Sequence, residues 1–252
     1  MLKEVPLVPT SCLISNNCQQ QRYTAIREDA PAPVCAISAA RQPPPAGLLQ
    51  RCGEYLRLLS SACAASETRC LAWCLMDNHV HLILVPASAD GLRAALGEAH
   101  RRYTRRVNFR KGWRGYLFQG RFASYPMDDA HLVAAVRYVE NNPVAARIVA
   151  RAEDWRWSSA RSHLAGKRVA DDPLTDVAAL GAHVRNWRAL LRHGAELGDS
   201  GPAGEELAGA IETRLRTGRP LAAEKWLMAR EAALGRRLRP LRRGPKPKHP
   251  PN

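Results

Sequence analysis

Hydrophobic positions between residues 47 and 166 follow two periods, and each period predicts a different kind of element. Apolar residues at steps of three and four predict a helix from Leu48 to about Ala65 and a second from about Asp90 to Phe109. Between these helices, the apolar runs TRCLAWC and HVHLILV predict two strands joined by the turn MDN. The middle of the chain therefore combines helices with a strand hairpin.

A further strand and a third helix follow. Gly120–Tyr125 has the pattern of a strand, and Asp128 is placed to cap a helix. We expect this helix to end near Asn142, because Pro143 disfavours helical geometry in the residue before it. This order of elements predicts an α+β fold in which helices pack on an antiparallel sheet.

The two ends of the chain differ from this central part. Residues 1–46 are irregular and rich in proline, with one short predicted strand at Val34–Ser38. Beyond Gly166 only helical patterns occur, and they predict a basic, all-helical C-terminal region over Val177–Leu191, Leu207–Leu215 and Trp226–Leu234. The predicted division is 1–46, 47–166, 167–235 and a basic disordered tail at 236–252.

The charge of the chain narrows its function. The 38 lysines and arginines against 23 acidic residues give a net charge of +15 in 252 residues, which favours nucleic acid over membrane as a partner. No apolar run approaches the roughly 18 residues of a membrane span, and the N-terminal residues lack a signal-peptide core. We therefore expect a cytoplasmic protein without a membrane partner. The seven cysteines lack paired Cys-x-x-Cys spacing, so we expect reduced thiols.

Two histidines, His79 and His81, interrupt the apolar second strand of the hairpin. Residues two apart on a strand face the same side, so the two imidazoles are presented together and can chelate one divalent ion. Ile83 and Val85 continue this face. The alternative is a pair of core histidines without a ligand, since apolar surroundings disfavour only the charged ring.

Tyr138 and Asn142 lie four residues apart in RYVENNP, so one side of the third helix presents a phenol and an amide. A phenol that enters the same pocket as a metal-polarised phosphodiester can attack phosphorus and form a covalent phosphotyrosine. The alternative for Tyr138 is an aromatic residue half-buried at the helix edge. A nucleotide hydrolase of the histidine-triad type is a third reading, but Ile83 stands where its third histidine is required.

Three stretches, CLMDNHVHLILVP, GRFASYPMDDAHLVAAVRYVENNPVAARIV and DWRWSSARSHLAG, resemble the REP-associated tyrosine transposases of the single-tyrosine HUH endonuclease superfamily. The resemblance implies a ferredoxin-like antiparallel sheet with packed helices. It also implies that His79, His81 and Asn142 bind Mg²⁺ or Mn²⁺ and that Tyr138 attacks single-stranded DNA, leaving a 5′-phosphotyrosine and a free 3′-OH. The implied substrates are repetitive palindromic elements folded as hairpins, and the expected state is a monomer or a homodimer.

The N-terminal strand departs from this family. Its members usually carry a His-x-Val-x-x-Arg-Gly-like motif there, whereas this chain has PVCAIS. Loss of that strand would expose backbone groups beside the histidine strand. Two hypotheses therefore stand, a sequence- or hairpin-specific endonuclease and transposase, and a catalytically inactive DNA-binding derivative.

Basic residues on and after the second helix are expected to contact DNA phosphates. They are Arg101, Arg102, Arg105, Arg106, Arg110 and Lys111, and Arg121 in the following predicted strand joins them. The alternative is a solvated face without a ligand. Trp113, Tyr116 and Phe118 come next and either stack on unpaired bases or pack in the core.

Overall fold

The computed structural model describes residues 34–39, 52–120, 122–192 and 202–239. Four strands form one antiparallel sheet in the order β2-β3-β1-β4. They are β1 (Val34–Ala39), β2 (Thr68–Leu75), β3 (His79–Pro86) and β4 (Ala123–Pro126). Helix α1 (Cys52–Ala65) precedes β2, and helix α2 (Gly91–Lys111) lies between β3 and β4. This βαββαβ order is that of a ferredoxin-like sheet, which confirms the predicted fold class.

Strand β1 lies in the middle of the sheet, between β3 and β4. It is one residue longer than predicted, and Ile37 pairs with His81 while Ala39 pairs with His79. The histidine strand therefore has a hydrogen-bonded neighbour on each side, although the residues of β1 differ from the family motif. The sheet thus includes six residues of the segment 1–46. The rest of the predicted division of the chain stays a prediction.

The two faces of β3 serve two different cores. Val80, Leu82 and Leu84 pack with α1 and α2 on one face of the sheet. On the other face, Ile83 and Val85 pack with helix α3 (Asp129–Ala145). The period-two alternation of the strand predicts this arrangement, and it places the face shared by His79 and His81 toward α3.

The prediction that the third helix ends near Asn142 is wrong, because α3 continues through Pro143 to Ala145. Pro143 is buried and has no N–H to donate to the carbonyl one turn earlier. The helix nevertheless closes with its own backbone bonds, from the Ala146 N–H to the Asn142 carbonyl and from the Ile148 N–H to the Pro143 carbonyl, each 2.9 Å long. Burial and these bonds outweigh the local effect of the proline.

Other predicted bounds need smaller corrections. Helix α2 runs two residues further than predicted, to a Gly112 cap at φ +66°, and β4 is shorter because only Ala123–Pro126 pairs with β1. The single helix predicted over Val177–Leu191 is a 3₁₀ turn at Ala178–Leu180 followed by helix α5 (Trp187–Arg192). Asn186 starts α5 afresh, because its side chain accepts a hydrogen bond from the Ala189 N–H at 3.0 Å.

Two C-terminal helices, α6 (Pro202–Thr217) and α7 (Glu224–Leu234), end at Gly218 and Gly235, as predicted. The segment between them is attached to the start of α3, where the Asp128 carboxylate accepts a 2.7 Å hydrogen bond from the Ala223 N–H. The predicted tail begins within the described residues, but those after 239 lie outside them. No described helix is long and apolar enough to cross a membrane. The cysteines with described side chains are free, buried thiols at Cys52, Cys63, Cys70 and Cys74.

Candidate functional site

His79 and His81 lie side by side on β3. Their ring centroids are 4.7 Å apart and the ring planes cross at 73°. His81 is only 2% exposed, whereas His79, at the start of the strand, is partly exposed. The strand therefore presents both imidazoles on one face, as the spacing of the two residues predicts.

Helix α3 brings Tyr138 to the same place. The centroid of its ring lies 5.8 Å from that of His81, in an edge-to-face arrangement with an angle of 80°. One turn further along α3, the side chain of Asn142 approaches the His81 ring and raises its pKa against the larger effect of burial. Residues from two separate motifs thus form one group, the histidine–tyrosine cluster of His79, His81, Tyr138 and Asn142.

Both imidazoles of the cluster are neutral near pH 7. Burial lowers the pKa of His79 from its ordinary value of 6.5 to about 4. Burial also holds the pKa of His81 well below 6.5, and the neighbouring His79 adds to this effect. A neutral imidazole keeps one nitrogen lone pair, so each ring can ligate a cation.

The donor set of the cluster fits a divalent cation. Both ring nitrogens of His81 are buried and lack a hydrogen-bond partner within the described ranges, although the Asn142 side chain lies close enough to affect the pKa of the ring. Buried polar atoms normally have partners, and a cation ligated by the ring would supply one. Two imidazoles and an amide oxygen can together bind such an ion. Among the described residues, no three or more His, Cys, Asp and Glu side chains lie close enough together to hold a metal ion. The histidine–tyrosine cluster has two histidines, and its third donor is the Asn142 amide.

The pH dependence of stability follows from the buried histidines. The pKa of His100 is also lowered by burial, from 6.5 to about 4. Between these values the unfolded chain binds protons that the folded chain does not, so the free energy of unfolding is expected to fall as the pH drops from about 6.5 toward about 4. Urea unfolding at several pH values measures the slope, and a His100→Gln variant should have a shallower one. Equal slopes in the two proteins would contradict this expectation.

Sequence reasoning missed a buried polar cluster on the side of α3 away from the histidines. Glu140 is fully buried and accepts hydrogen bonds from the Ser159 hydroxyl at 2.5 Å and from Nδ1 of His163 at 2.6 Å. His163 belongs to helix α4 (Ala160–Leu164) and stacks on Trp187 with centroids 4.1 Å apart. The Ser159 hydroxyl also accepts from the Trp73 N–H of β2 at 3.0 Å. The carboxylate among the apolar residues of α3 was the one signal of this cluster in the sequence.

The predicted basic residues of α2 do not lie at the histidine–tyrosine cluster. Helix α2 packs on the sheet face opposite to α3, and its arginines line an open groove of about 540 Å³. This arginine groove is lined by Glu54, Arg101, Arg102, Arg105, Arg106, Phe109 and Arg110. Lys111 is exposed at the end of α2, and Arg121 lies outside the described residues. The structure therefore places the predicted phosphate contacts of α2 on the other face of the sheet from the predicted chemistry.

Acidic residues hold several of these arginines in place. Glu54 binds Arg106 at 3.0 Å and Arg110 at 2.5 Å, and Glu98 binds Arg101 at 2.9 Å. In the part of the chain that the structure describes, Arg102 and Arg105 have no ion pair. They are the arginines of the groove whose guanidinium groups have no direct carboxylate contact.

The aromatic residues after α2 divide between surface and core. Phe118 is buried and stacks on His100 with centroids 4.0 Å apart, which makes it a core residue. Tyr116 is 85% exposed and Trp113 is 40% exposed. Phe109 is 89% exposed at the arginine groove, and sequence reasoning missed it because it was assigned only as the end of a helix.

The histidine–tyrosine cluster lies on β3 and α3, and the arginine groove lies on α1 and α2. These elements follow one another along the chain. Residues 50–142 match the family model described as Transposase IS200 like. The match ends at Asn142 and contains the whole histidine–tyrosine cluster, and it confirms the resemblance to transposases. A similar solved structure, described as a REP-associated tyrosine transposase bound to a REP hairpin, has a TM-score of 0.45 and 20% identity, and covers 58% of this chain and 87% of that chain. The curated proteins include no significant match.

The IS200-like match leaves out several parts of the structure that contact the cluster's helix or strand, among them strand β1 and helix α4. Strand β1 precedes it, yet pairs with the histidine strand. Helix α4 follows it, yet His163 of α4 is bonded to Glu140 of α3. The IS200-like segment is therefore supported on both sides by residues outside the match.

Proposed function

We propose that this chain is a metal-dependent single-stranded DNA endonuclease and transposase with Tyr138 as its nucleophile. The proposal rests above all on the Tyr138 ring, which lies 5.8 Å from His81 within a segment that matches IS200-like transposases. A net charge of +15 and the arginine groove support DNA as the partner. The family resemblance supports repetitive palindromic elements folded as hairpins as the substrate, and a cytoplasmic site of action.

In the proposed reaction, the Tyr138 oxygen attacks the phosphorus of a phosphodiester. A bond forms between this oxygen and phosphorus, and the bond from phosphorus to the 3′ oxygen breaks. The phenol loses its proton, and the 3′ oxygen gains one to leave a free 3′-OH. The 5′ phosphate stays attached to the tyrosine, so the reverse reaction can join the strand to a new 3′-OH.

The other residues of the cluster have supporting roles in this proposal. His79, His81 and Asn142 would hold Mg²⁺ or Mn²⁺, which supplies charge neutralisation at the phosphate oxygens. Burial keeps the two imidazoles neutral, so their lone pairs are available at pH 7. Packing of α3 on the sheet keeps Tyr138 beside them.

Labelled hairpin oligonucleotides test this function. With Mn²⁺, the protein should form an SDS-resistant adduct that carries a 3′ label, while a 5′ label leaves on the released fragment. His81→Ala should form no adduct, because one buried ligand is lost. A gel shift without any adduct from the unmutated protein would contradict the proposal and favour the inactive DNA-binding derivative.

The arginine groove is proposed to bind DNA phosphates on the far side of the sheet from the chemistry. Replacing Arg102 and Arg105 with alanine is expected to weaken hairpin binding and to lower the salt slope of log Kd by about one unit per arginine, because each contact releases counterions. Fluorescence anisotropy at several salt concentrations measures this slope. Arg93→Ala is a matched control, since Arg93 lies on α2 but outside the groove. An unchanged slope in the double variant would contradict a role in phosphate binding.

A further inference from the structure

The side chain of Asn78 lies against the first histidine of the cluster. Its Oδ1 atom is 2.6 Å from Nδ1 of His79. An amide oxygen only accepts hydrogen bonds, so Nδ1 must carry the proton of this bond. A neutral imidazole has one N–H, and Nε2 is therefore left with its lone pair.

We propose that Asn78 is a positioning residue that holds His79 in the Nδ1–H tautomer and so makes Nε2 its metal-binding atom. This inference rests on the proposed function, because it assigns Asn78 to the metal site of the nuclease. In metal sites generally, the hydrogen bond at one histidine nitrogen selects the tautomer and fixes the ring for the ligand bond at the other.

The hairpin keeps Asn78 in this place. Met76, Asp77 and Asn78 form the three-residue connection between β2 and β3, and the Met76 N–H donates to the His79 carbonyl at 2.8 Å and closes this turn. Asn78 is therefore the neighbour in sequence of the histidine that it orients, at the end of the hairpin where the turn joins the two strands. His81 has no such partner among the described residues, so the tautomer of His79 is the one that the chain sets.

The tautomer can be observed without metal or DNA. Long-range ¹H–¹⁵N spectra of the full chain separate protonated from unprotonated imidazole nitrogens, and His79→Gln assigns the signals. The expected spectrum has a protonated Nδ1 and an unprotonated Nε2 in His79. Asn78→Ala should mix the two tautomers, and Asn78→Asp should keep the Nδ1–H form because its carboxylate accepts the same bond. A protonated Nε2 in the unmutated protein would overturn the inference.

Metal affinity gives the second measurement. Titration with Mn²⁺ alone, followed by the electron paramagnetic resonance of the free ion, should show affinity about 10-fold weaker or more for Asn78→Ala and restored for Asn78→Asp. Asp77→Ala is the matched control, because Asp77 shares the turn, is exposed and forms no hydrogen bond or ion pair in the described ranges. Unchanged affinity in a folded Asn78→Ala protein would overturn the inference.

The two experiments separate this inference from the proposed function. Mn²⁺ binding that is absent from the unmutated protein, or unaffected by His81→Ala, would overturn the metal site itself. The His79 spectrum would still decide whether Asn78 sets the tautomer. A circular dichroism spectrum of each variant identifies any that fails to fold, and in that case Asn78→Asp and the unmutated protein carry the test.

Discussion

Replacing Tyr138 with phenylalanine is expected to lower adduct formation by at least about 10³-fold, because the substitution removes the attacking oxygen. The phenyl ring keeps the edge-to-face contact with His81 and the packing against the α3 core. We therefore expect little change in hairpin affinity, and a change in unfolding free energy of about 1 kcal/mol or less. Quantified SDS gels of the labelled adduct give the rate, and a gel shift gives the affinity.

A second tyrosine provides the control for this substitution. Tyr116 follows α2, is 85% exposed and does not belong to the histidine–tyrosine cluster. Tyr116→Phe removes the same hydroxyl oxygen from this surface position. It should form adduct at the rate of the unmutated protein. An adduct that persists in Tyr138→Phe would show that another group attacks the phosphorus.

Replacing Glu140 with alanine is expected to destabilise the fold by roughly 2–4 kcal/mol. The carboxylate accepts hydrogen bonds from Ser159 and His163 in a fully buried place. Without it, Nδ1 of His163 is left without an acceptor, while the Ser159 hydroxyl still reaches the Trp73 carbonyl at 3.3 Å. Urea unfolding followed by circular dichroism measures the loss. Glu140→Gln should lose less, because its amide oxygen can accept the same bonds.

The control for Glu140 is a glutamate on a helix surface. Glu98 forms an exposed ion pair with Arg101 three residues away, and exposed pairs of this kind add little to stability. Glu98→Ala should therefore unfold at the same urea concentration as the unmutated protein. If Glu140→Ala matched Glu98→Ala, the buried cluster would have no part in holding α3.

Local patterns predict the elements that surround the histidine–tyrosine cluster. The alternation along β3 reports which side chains face each core, because a strand has a strict period of two. The four-residue spacing of Tyr138 and Asn142 likewise places both on one side of α3. These two periods suffice to predict that the residues can meet, and the ferredoxin-like fold supplies the packing that brings them within 5.8 Å.

Features that depend on distant partners could not be predicted in the same way. Pro143 disfavours a helix locally, but its burial and the backbone bonds that follow it let α3 continue to Ala145. The arginines of α2 were identified from charge, but the sheet face on which they lie depends on how α2 packs. The partners of Glu140 come from residues 19 and 23 positions later, and no spacing rule connects them.

Mass spectrometry of the covalent adduct identifies the residue that attacks the phosphorus. Trypsin cleavage after Arg137 and Arg147 releases the peptide YVENNPVAAR, in which Tyr138 is the one residue with a hydroxyl group. After nuclease digestion of the bound DNA, we expect this peptide to carry a 5′-phosphate-linked nucleotide. A nucleotide on any other peptide, with this one unmodified, would contradict it.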